Sequence, residues 1–306
     1  MMRIMSNSIK KSLYSRQRVL LALVQAFGGK LSSMDLQKYL FLYTKKYQKV
    51  RSYEFIPYKY GCFSFQSYAD RRRLIDVGAI KSTDTWELDE QIDYLSQISL
   101  EDRKNILIFK HQYIGIKGEQ LVRDVYRQYP YYAIKSEIAV KLMNENELKK
   151  IEQAKPCQVD SVFFTIGYEG NSFENYLNRL IENNIHVLCD VRKNPLSRKY
   201  GFSKKILSET LSKINIEYVH IPNLGIVSEK RQILNSQSDY DRLFDEYEKS
   251  TLKENIEDLQ KLYGIFQVHQ RVAISCFEAE YYMCHRSRIA KALTKMPEWE
   301  YSISHI

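Results

Sequence analysis

The chain has 306 residues, enough for two ordinary domains with a core each, and its 24 tyrosines beside only 11 glycines and 6 prolines exclude a disordered or fibrous protein. No stretch approaches the ~20 apolar residues that a membrane helix needs, and the first residues lack the apolar core of a secretory signal. Five cysteines, odd in number and widely spaced, argue against a disulfide framework and for a reducing cytoplasm.

The net charge of +9 is unevenly spread. Residues 1–150 hold 26 Lys and Arg against 16 Asp and Glu, whereas residues 151–306 hold 20 against 21. Within residues 1–73 the count is 15 against 3. A basic front and a neutral back predict two modules with different partners.

Val19, Leu20, Leu23 and Phe27 recur at helical spacing over 16–27, and Gly28 with Gly29 stops that helix. Ser32 or Ser33 caps a second helix with its stripe at Leu36, Leu40, Tyr43 and Tyr47 and with Lys38, Lys45, Lys46 and Lys49 off the stripe. A third helix is expected from about Ser64 to Asp76, and a short hairpin or wing from Ala79–Ile80 to Glu87–Leu88. Helix, helix, helix, wing is the order of a winged helix–turn–helix. Arg71, Arg72 and Arg73 then share the third helix with Gln66 and Ser67, a set suited to phosphate and base-edge contact, with Lys45 and Lys46 adding charge. The competing reading is a basic solvated face, or a winged domain used for protein contact. Residues 100–150 read as further helices, and the charged stretch from Glu145 to Lys155 lacks apolar periodicity. The domains are therefore expected to span 1–155 and 156–306.

From Asp160 onward apolar runs of strand length alternate with helical patterns. Strands are expected over 161–167, 185–191, 216–221 and 272–277, with helices after Ser172 and Ser203, near 251–262, and over 284–295. A polar segment fills 226–250. Strands apolar on both faces and alternating with helices predict an α/β fold, a doubly wound, Rossmann-like parallel sheet. It follows a mainly helical, winged-helix-like domain.

The polar residues fall at strand ends: Tyr168 and Glu169, Asp190 and Arg192, His220, and Cys276 with Glu278. In an open parallel sheet those ends form one edge, outside which ligands bind. Gly167 and Gly170 mark a tight turn near ligand, and Glu169 is a candidate base or anion-site residue. Asp190 and Arg192 form either a structural pair or a ligand clamp, while Arg192, Lys193, Arg198 and Lys199 surround a short loop suited to phosphate. Cys284, at an expected helix N-terminus beside His285 and Arg286, has the setting of a stabilised thiolate and so of a nucleophile. A lone cysteine is more often an inert small apolar residue. Catalytic candidates are thus Cys284, His285, Glu278 and Asp190, and ligand or anion candidates are Tyr168, Glu169, Arg192, Arg198, His220, Cys276 and Arg286. In the favoured arrangement Glu278, His285 and Arg286 hold an anion and the two cysteines line its pocket. No cofactor is expected. Zinc on Cys276, Cys284, His285 and His220 is the alternative, opposed by the awkward geometry of adjacent Cys and His ligands and by the lack of a Cys-x-x-Cys.

Five ordered motifs carry a resemblance: Thr165–Gly170; Asp190 and Arg192 with Pro195 and Arg198; Phe202–Ser203; Tyr218 and His220 through Gly225; and Cys276 and Glu278 with Cys284–Arg286. Over roughly 160–297 the chain resembles domain-of-unknown-function family 488. The resemblance implies an α/β domain with these motifs around one site and no particular reaction. Residues 17 to about 140 are similar to a winged-helix domain of the Panacea antitoxin kind, a pairing that resembles components of bacterial conflict or phage-defence systems. The expected function is therefore an enzyme acting on a nucleotide or nucleic acid. The alternatives are a DNA-binding regulator that senses a small anionic ligand and a non-catalytic, antitoxin-like interaction protein.

Overall fold

The computed structural model describes residues 12–89, 92–227 and 236–306. The chain divides into two compact units, Met1–Lys155 and Pro156–Ile306. Among the described residues no helix is long and apolar enough to cross a membrane.

The first unit is mainly helical. Helix α1 (Ser15–Ala26) ends at Gly28 and Gly29, whose φ values of 98° and 80° suit glycine. Strand β1 (Lys30–Leu31), helix α2 (Ser33–Tyr47), a hairpin of β2 (Ile56–Tyr58) and β3 (Gly61–Phe63), helix α3 (Phe65–Asp76) and strand β4 (Trp86–Glu87) follow. Ser32 and Ser64 cap α2 and α3 through their hydroxyls. Strand β1 pairs antiparallel with β4, and Ile80 bridges Leu88, so a short antiparallel ribbon follows α3. The β2–β3 hairpin interrupts the expected order between the second and third helices. Helices α4 (Leu100–Tyr113), α5 (Gly118–Gln128), α6 (Ala139–Leu142) and α7 (Glu145–Gln153) complete the unit. The last one occupies the charged stretch that lacks apolar periodicity. Asn144 caps it in a reciprocal box with Glu147, and Ile151 alone is buried, so the cap rather than periodicity marks it.

The second unit holds a five-stranded parallel sheet. Its elements are β5 (Val162–Gly167), α8 (Phe173–Glu182), β6 (Val187–Asp190), α9 (Lys204–Lys213), β7 (Glu217–His220), α10 (Gln237–Tyr247), α11 (Ile256–His269), β8 (Arg271–Cys276), α12 (Arg286–Leu293) and β9 (Ser302–His305). The strand order is β7-β6-β8-β5-β9, with every pairing parallel. The fourth strand in sequence is thus inserted between the first and second, an order distinct from the 3-2-1 run of a dinucleotide-binding sheet. Successive side chains point to opposite faces. Phe163, Val187, Cys189, Val272 and Ile274 pack on the face that carries α10, α11 and α12. On the other face the Tyr176 hydroxyl of α8 donates to Ser275 Oγ at 2.7 Å.

Helix α10 lies in the stretch read as a polar segment; Leu243, Phe244 and Tyr247 are its buried stripe. Residues 228–235 of that stretch lie outside the described residues. Helix α11 begins later and runs further than expected. Strand β9 had no forecast: Ser-Ile-Ser-His is a polar edge strand, recognisable only once β5 is there to pair with it.

Candidate functional site

Pairing register brings the strand ends into one row. Asp190 lies opposite His220 on one side and Ser275 on the other, while Cys276 lies opposite Gly167. The carboxyl edge of the sheet therefore gathers the groups at the ends of β5, β6, β7 and β8.

The Asp190–Arg192 pair is a self-contained structural bond. Arg192 Nε donates to Asp190 Oδ1 at 2.8 Å and Nη2 to Oδ2 at 2.5 Å. Arg192 Nη1 donates to Tyr168 Oη at 3.0 Å and to the Phe202 carbonyl at 2.8 Å. Tyr218 Oη donates to Asp190 Oδ2 at 2.7 Å, and the Arg192 backbone N–H adds a bond to Oδ1 at 3.1 Å. Asp190 is fully buried and Arg192 nearly so. A carboxylate with every lone pair engaged and no solvent access does not act as a base, and the guanidinium is spent holding Tyr168 and Phe202. This is the structural-pair arrangement of the two residues, and it also engages the Tyr168 hydroxyl. Tyr168 is buried, with its ring stacked on Phe202 at 4.3 Å.

His220 and His285 both hang on the turn after β6. His220 Nε2 meets the Arg192 carbonyl at 2.9 Å, and its Nδ1 accepts from Lys204 Nζ at 3.1 Å. His285 Nε2 meets the Val191 carbonyl at 3.2 Å. A carbonyl accepts only from N–H, so in the neutral ring Nε2 carries the proton and Nδ1 presents its lone pair.

That lone pair faces sulfur. His285 Nδ1 lies 3.6 Å from Cys276 Sγ and 3.7 Å from Cys284 Sγ, and Cys276 Sγ donates to Glu278 Oε2 at 3.2 Å. One donor atom from each of Cys276, Glu278, Cys284 and His285 lies within 4.8 Å of the others. Three of these residues are buried and Glu278 is half-buried. The objection to adjacent Cys and His ligands falls on backbone conformation. Cys284 is extended (φ −135°, ψ 141°) and His285 is helical (φ −58°, ψ −19°), so the chain bends between them and swings both side chains to one side. His220 is not in this group.

The thiolate expectation at Cys284 is reversed. Burial, followed by the neighbouring Cys276 and the Glu278 carboxylate, pushes its thiol well up, and Arg286 opposes this only partly. With metal absent, Cys284 is a protonated thiol, not an activated nucleophile.

Arg286 is buried. It donates through Nη1 to the Glu278 carbonyl and through Nη2 to the Ala279 carbonyl at 2.7 Å, and its Nε has no partner among the described residues. It holds the 278–279 loop in place, and Glu169 ties the same loop through Ala279 N–H to Oε2 at 3.0 Å. Gly167 permits the crossing: a Cβ there would lie 1.8 Å from the Glu278 carbonyl oxygen. Sequence reading missed this role, together with the Tyr218 bond to Asp190; glycine at a strand end was the only signal for the former. Lys199 donates to the Tyr168 carbonyl at 2.9 Å, and Arg198 is exposed. Beside the site, Lys193, Asn223, Gly225 and Tyr247 line a cavity of about 240 Å³, and the Tyr247 ring stands edge-on to His285 at 5.6 Å.

In the first unit the arginine triplet splits. Arg71 Nη2 donates to the Thr83 and Thr85 carbonyls and its guanidinium lies over Trp86 at 5.3 Å. Arg73 donates to the Ser12 carbonyl at 3.1 Å and lies over Tyr14 at 4.6 Å. Arg72 alone of the three is exposed. Consecutive helical residues point ~100° apart, so three adjacent arginines cannot share one face. Ser67 is buried and accepts from Gln37 Nε2 at 2.8 Å, which removes it from any reading surface. Lys46 donates to Tyr113 Oη and Gln128 Oε1, and Lys45 is half-buried.

Residues 172–293, most of the second unit, match the family described as Domain of unknown function DUF488. The match begins after the Thr165–Gly170 motif and includes the other four motifs. No curated protein and no solved structure shows a significant match to this chain.

Proposed function

We propose that the protein is a nucleic-acid-associated enzyme whose reaction centre is the Cys276–Glu278–Cys284–His285 cluster and whose substrate is a nucleotide or a nucleic-acid strand. The observation that carries this reading is the convergence of those four side chains at the carboxyl edge of a parallel sheet, where such folds bind ligand. The surroundings support the substrate class. Phe277, Tyr281 and Tyr282 are 43 %, 41 % and 52 % exposed on the same turn, and exposed aromatic faces stack on bases. The loop after β6 adds Lys193, Arg198 and Lys199, and α9 opens on Lys204, a set of cations suited to a phosphate backbone. In the first unit three helices with an antiparallel ribbon support a winged helix–turn–helix, despite the hairpin between the second and third, and the 15-to-3 charge excess over residues 1–73 supports a nucleic acid partner. The half-buried carboxylate of Glu278, the one cluster group that reaches solvent, is placed to exchange a proton with bound substrate or water.

The test offers nucleotides and single- and double-stranded DNA and RNA oligonucleotides to the full chain and follows binding and product by mass spectrometry. Glu278→Gln is expected to abolish turnover while leaving the dissociation constant within about threefold. Equal turnover by wild type and variant, or no product from any of these substrates, overturns the enzyme reading. Saturable binding without turnover favours a ligand-sensing regulator instead.

A further inference from the structure

The geometry points to a zinc site formed by Cys276, Cys284, His285 and Glu278. Tetrahedral zinc with bonds of about 2.3 Å to sulfur and about 2.0–2.1 Å to nitrogen places a sulfur and a nitrogen ligand roughly 3.5–3.6 Å apart. The His285 Nδ1 separations from Cys276 and Cys284, 3.6 and 3.7 Å, lie on that edge length without rearrangement. The Cys276–Glu278 separation of 3.2 Å is shorter and widens with a small rotation of the half-buried carboxylate.

Three features around the cluster fit a metal centre. The Val191 carbonyl engages His285 Nε2, the outer-shell contact that fixes the ring and directs Nδ1 inward as a ligand. Two thiolates and a carboxylate around a divalent cation carry a net charge of −1, and the buried Arg286 guanidinium, anchored to the Glu278 and Ala279 carbonyls, stands beside it as the compensating charge. Gly167 lets the Glu278 backbone cross β5 close enough to turn the carboxylate back toward the sulfurs. The donor set of two sulfurs, one imidazole and one carboxylate selects zinc over magnesium or calcium, which take oxygen ligands. With Cys276, Cys284 and His285 buried and Glu278 partly open, the fourth position faces solvent, the arrangement in which a zinc ligand exchanges with water or substrate.

This assignment stands on the cluster and not on the nucleic acid reading, so either can fail alone. The full chain, purified without chelator, is analysed for metal by mass spectrometry and then loaded with Co²⁺ after chelation. One zinc per chain is expected, as are cobalt spectra with thiolate charge-transfer bands. Cys276→Ser and His285→Gln are each expected to lower occupancy at least tenfold, while Cys157→Ser retains it. Circular dichroism identifies any variant that fails to fold, and the wild-type cobalt spectrum then decides. A folded wild-type chain that takes up neither Zn²⁺ nor Co²⁺, a Cys276–Cys284 disulfide in place of two thiols, or full occupancy in a folded Cys276→Ser variant overturns the assignment.

Discussion

Replacing Arg192 by methionine separates a structural pair from a ligand clamp. The substitution keeps much of the apolar stem but removes two bonds to Asp190, one to Tyr168 and one to the Phe202 carbonyl. It leaves a fully buried carboxylate without its counter-ion. Removing one partner of a buried ion pair costs about 3–5 kcal/mol. Asp190 keeps the Tyr218 hydroxyl and the Arg192 backbone N–H, so the expected loss is about 3 kcal/mol, at the low end of that range. For a unit of this size ~3 kcal/mol lowers the melting temperature by roughly 6–12 °C. The chain has two tryptophans, Trp86 in the first unit and Trp299 in the second. In a Trp86→Phe background the fluorescence of Trp299 therefore reports urea unfolding of the second unit alone. The double variant Asp190→Leu/Arg192→Met buries no uncompensated charge and is expected to recover part of the loss. A single variant that costs under ~1 kcal/mol, or a double variant less stable than the single, refutes the view that this pair is structural.

Three further outcomes follow from the geometry. Gly167→Ala puts a Cβ 1.8 Å from the Glu278 carbonyl oxygen, a clash with backbone that only movement of the loop relieves; about 1–3 kcal/mol of destabilisation is expected, and unchanged thermal unfolding counts against the crossing. The Glu87 carboxyl, hydrogen-bonded by Lys30 and Lys81, is held down to about 2 from its ordinary 4.5, so its contribution to stability is fully present above about pH 4.5 and is lost as pH falls through about 2. Glu87→Gln is accordingly expected to flatten the acid limb of the stability curve between those values, and a limb of unchanged slope is the contrary result. Cys157 is exposed whereas Cys284 is buried with its thiol pushed up, so iodoacetamide at neutral pH is expected to label Cys157 first and Cys284 only on unfolding. Peptide mapping that finds comparable rates refutes the burial argument.

The sequence by itself determined the alternation of buried strands and helices, because a strand covered on both faces reads as an apolar run wherever it lies in the chain. It also determined that polar residues end those strands, and hence which residues the carboxyl edge collects. It marked Ser32 and Ser172 as helix caps, since a cap is a local bond within one turn. What it left open was non-local. Strand order cannot be read from periodicity, so β8 between β6 and β5, and β9 on the edge, emerged only from pairing. The role of Asp190 and Arg192 depended on whether Tyr168, Phe202 and Tyr218, distant in sequence, came to satisfy them. Three adjacent arginines looked like one surface, and the helical repeat with two backbone acceptors and two aromatic rings divided them. The turn from Cys276 to Arg286 shows the division most plainly. Its residue types announced chemistry, but adjacent Cys and His looked incompatible as ligands until the change from extended to helical backbone between Cys284 and His285 brought both side chains to Cys276 and Glu278. Burial then set the protonation of Cys284 against the direction that a helix terminus alone would give.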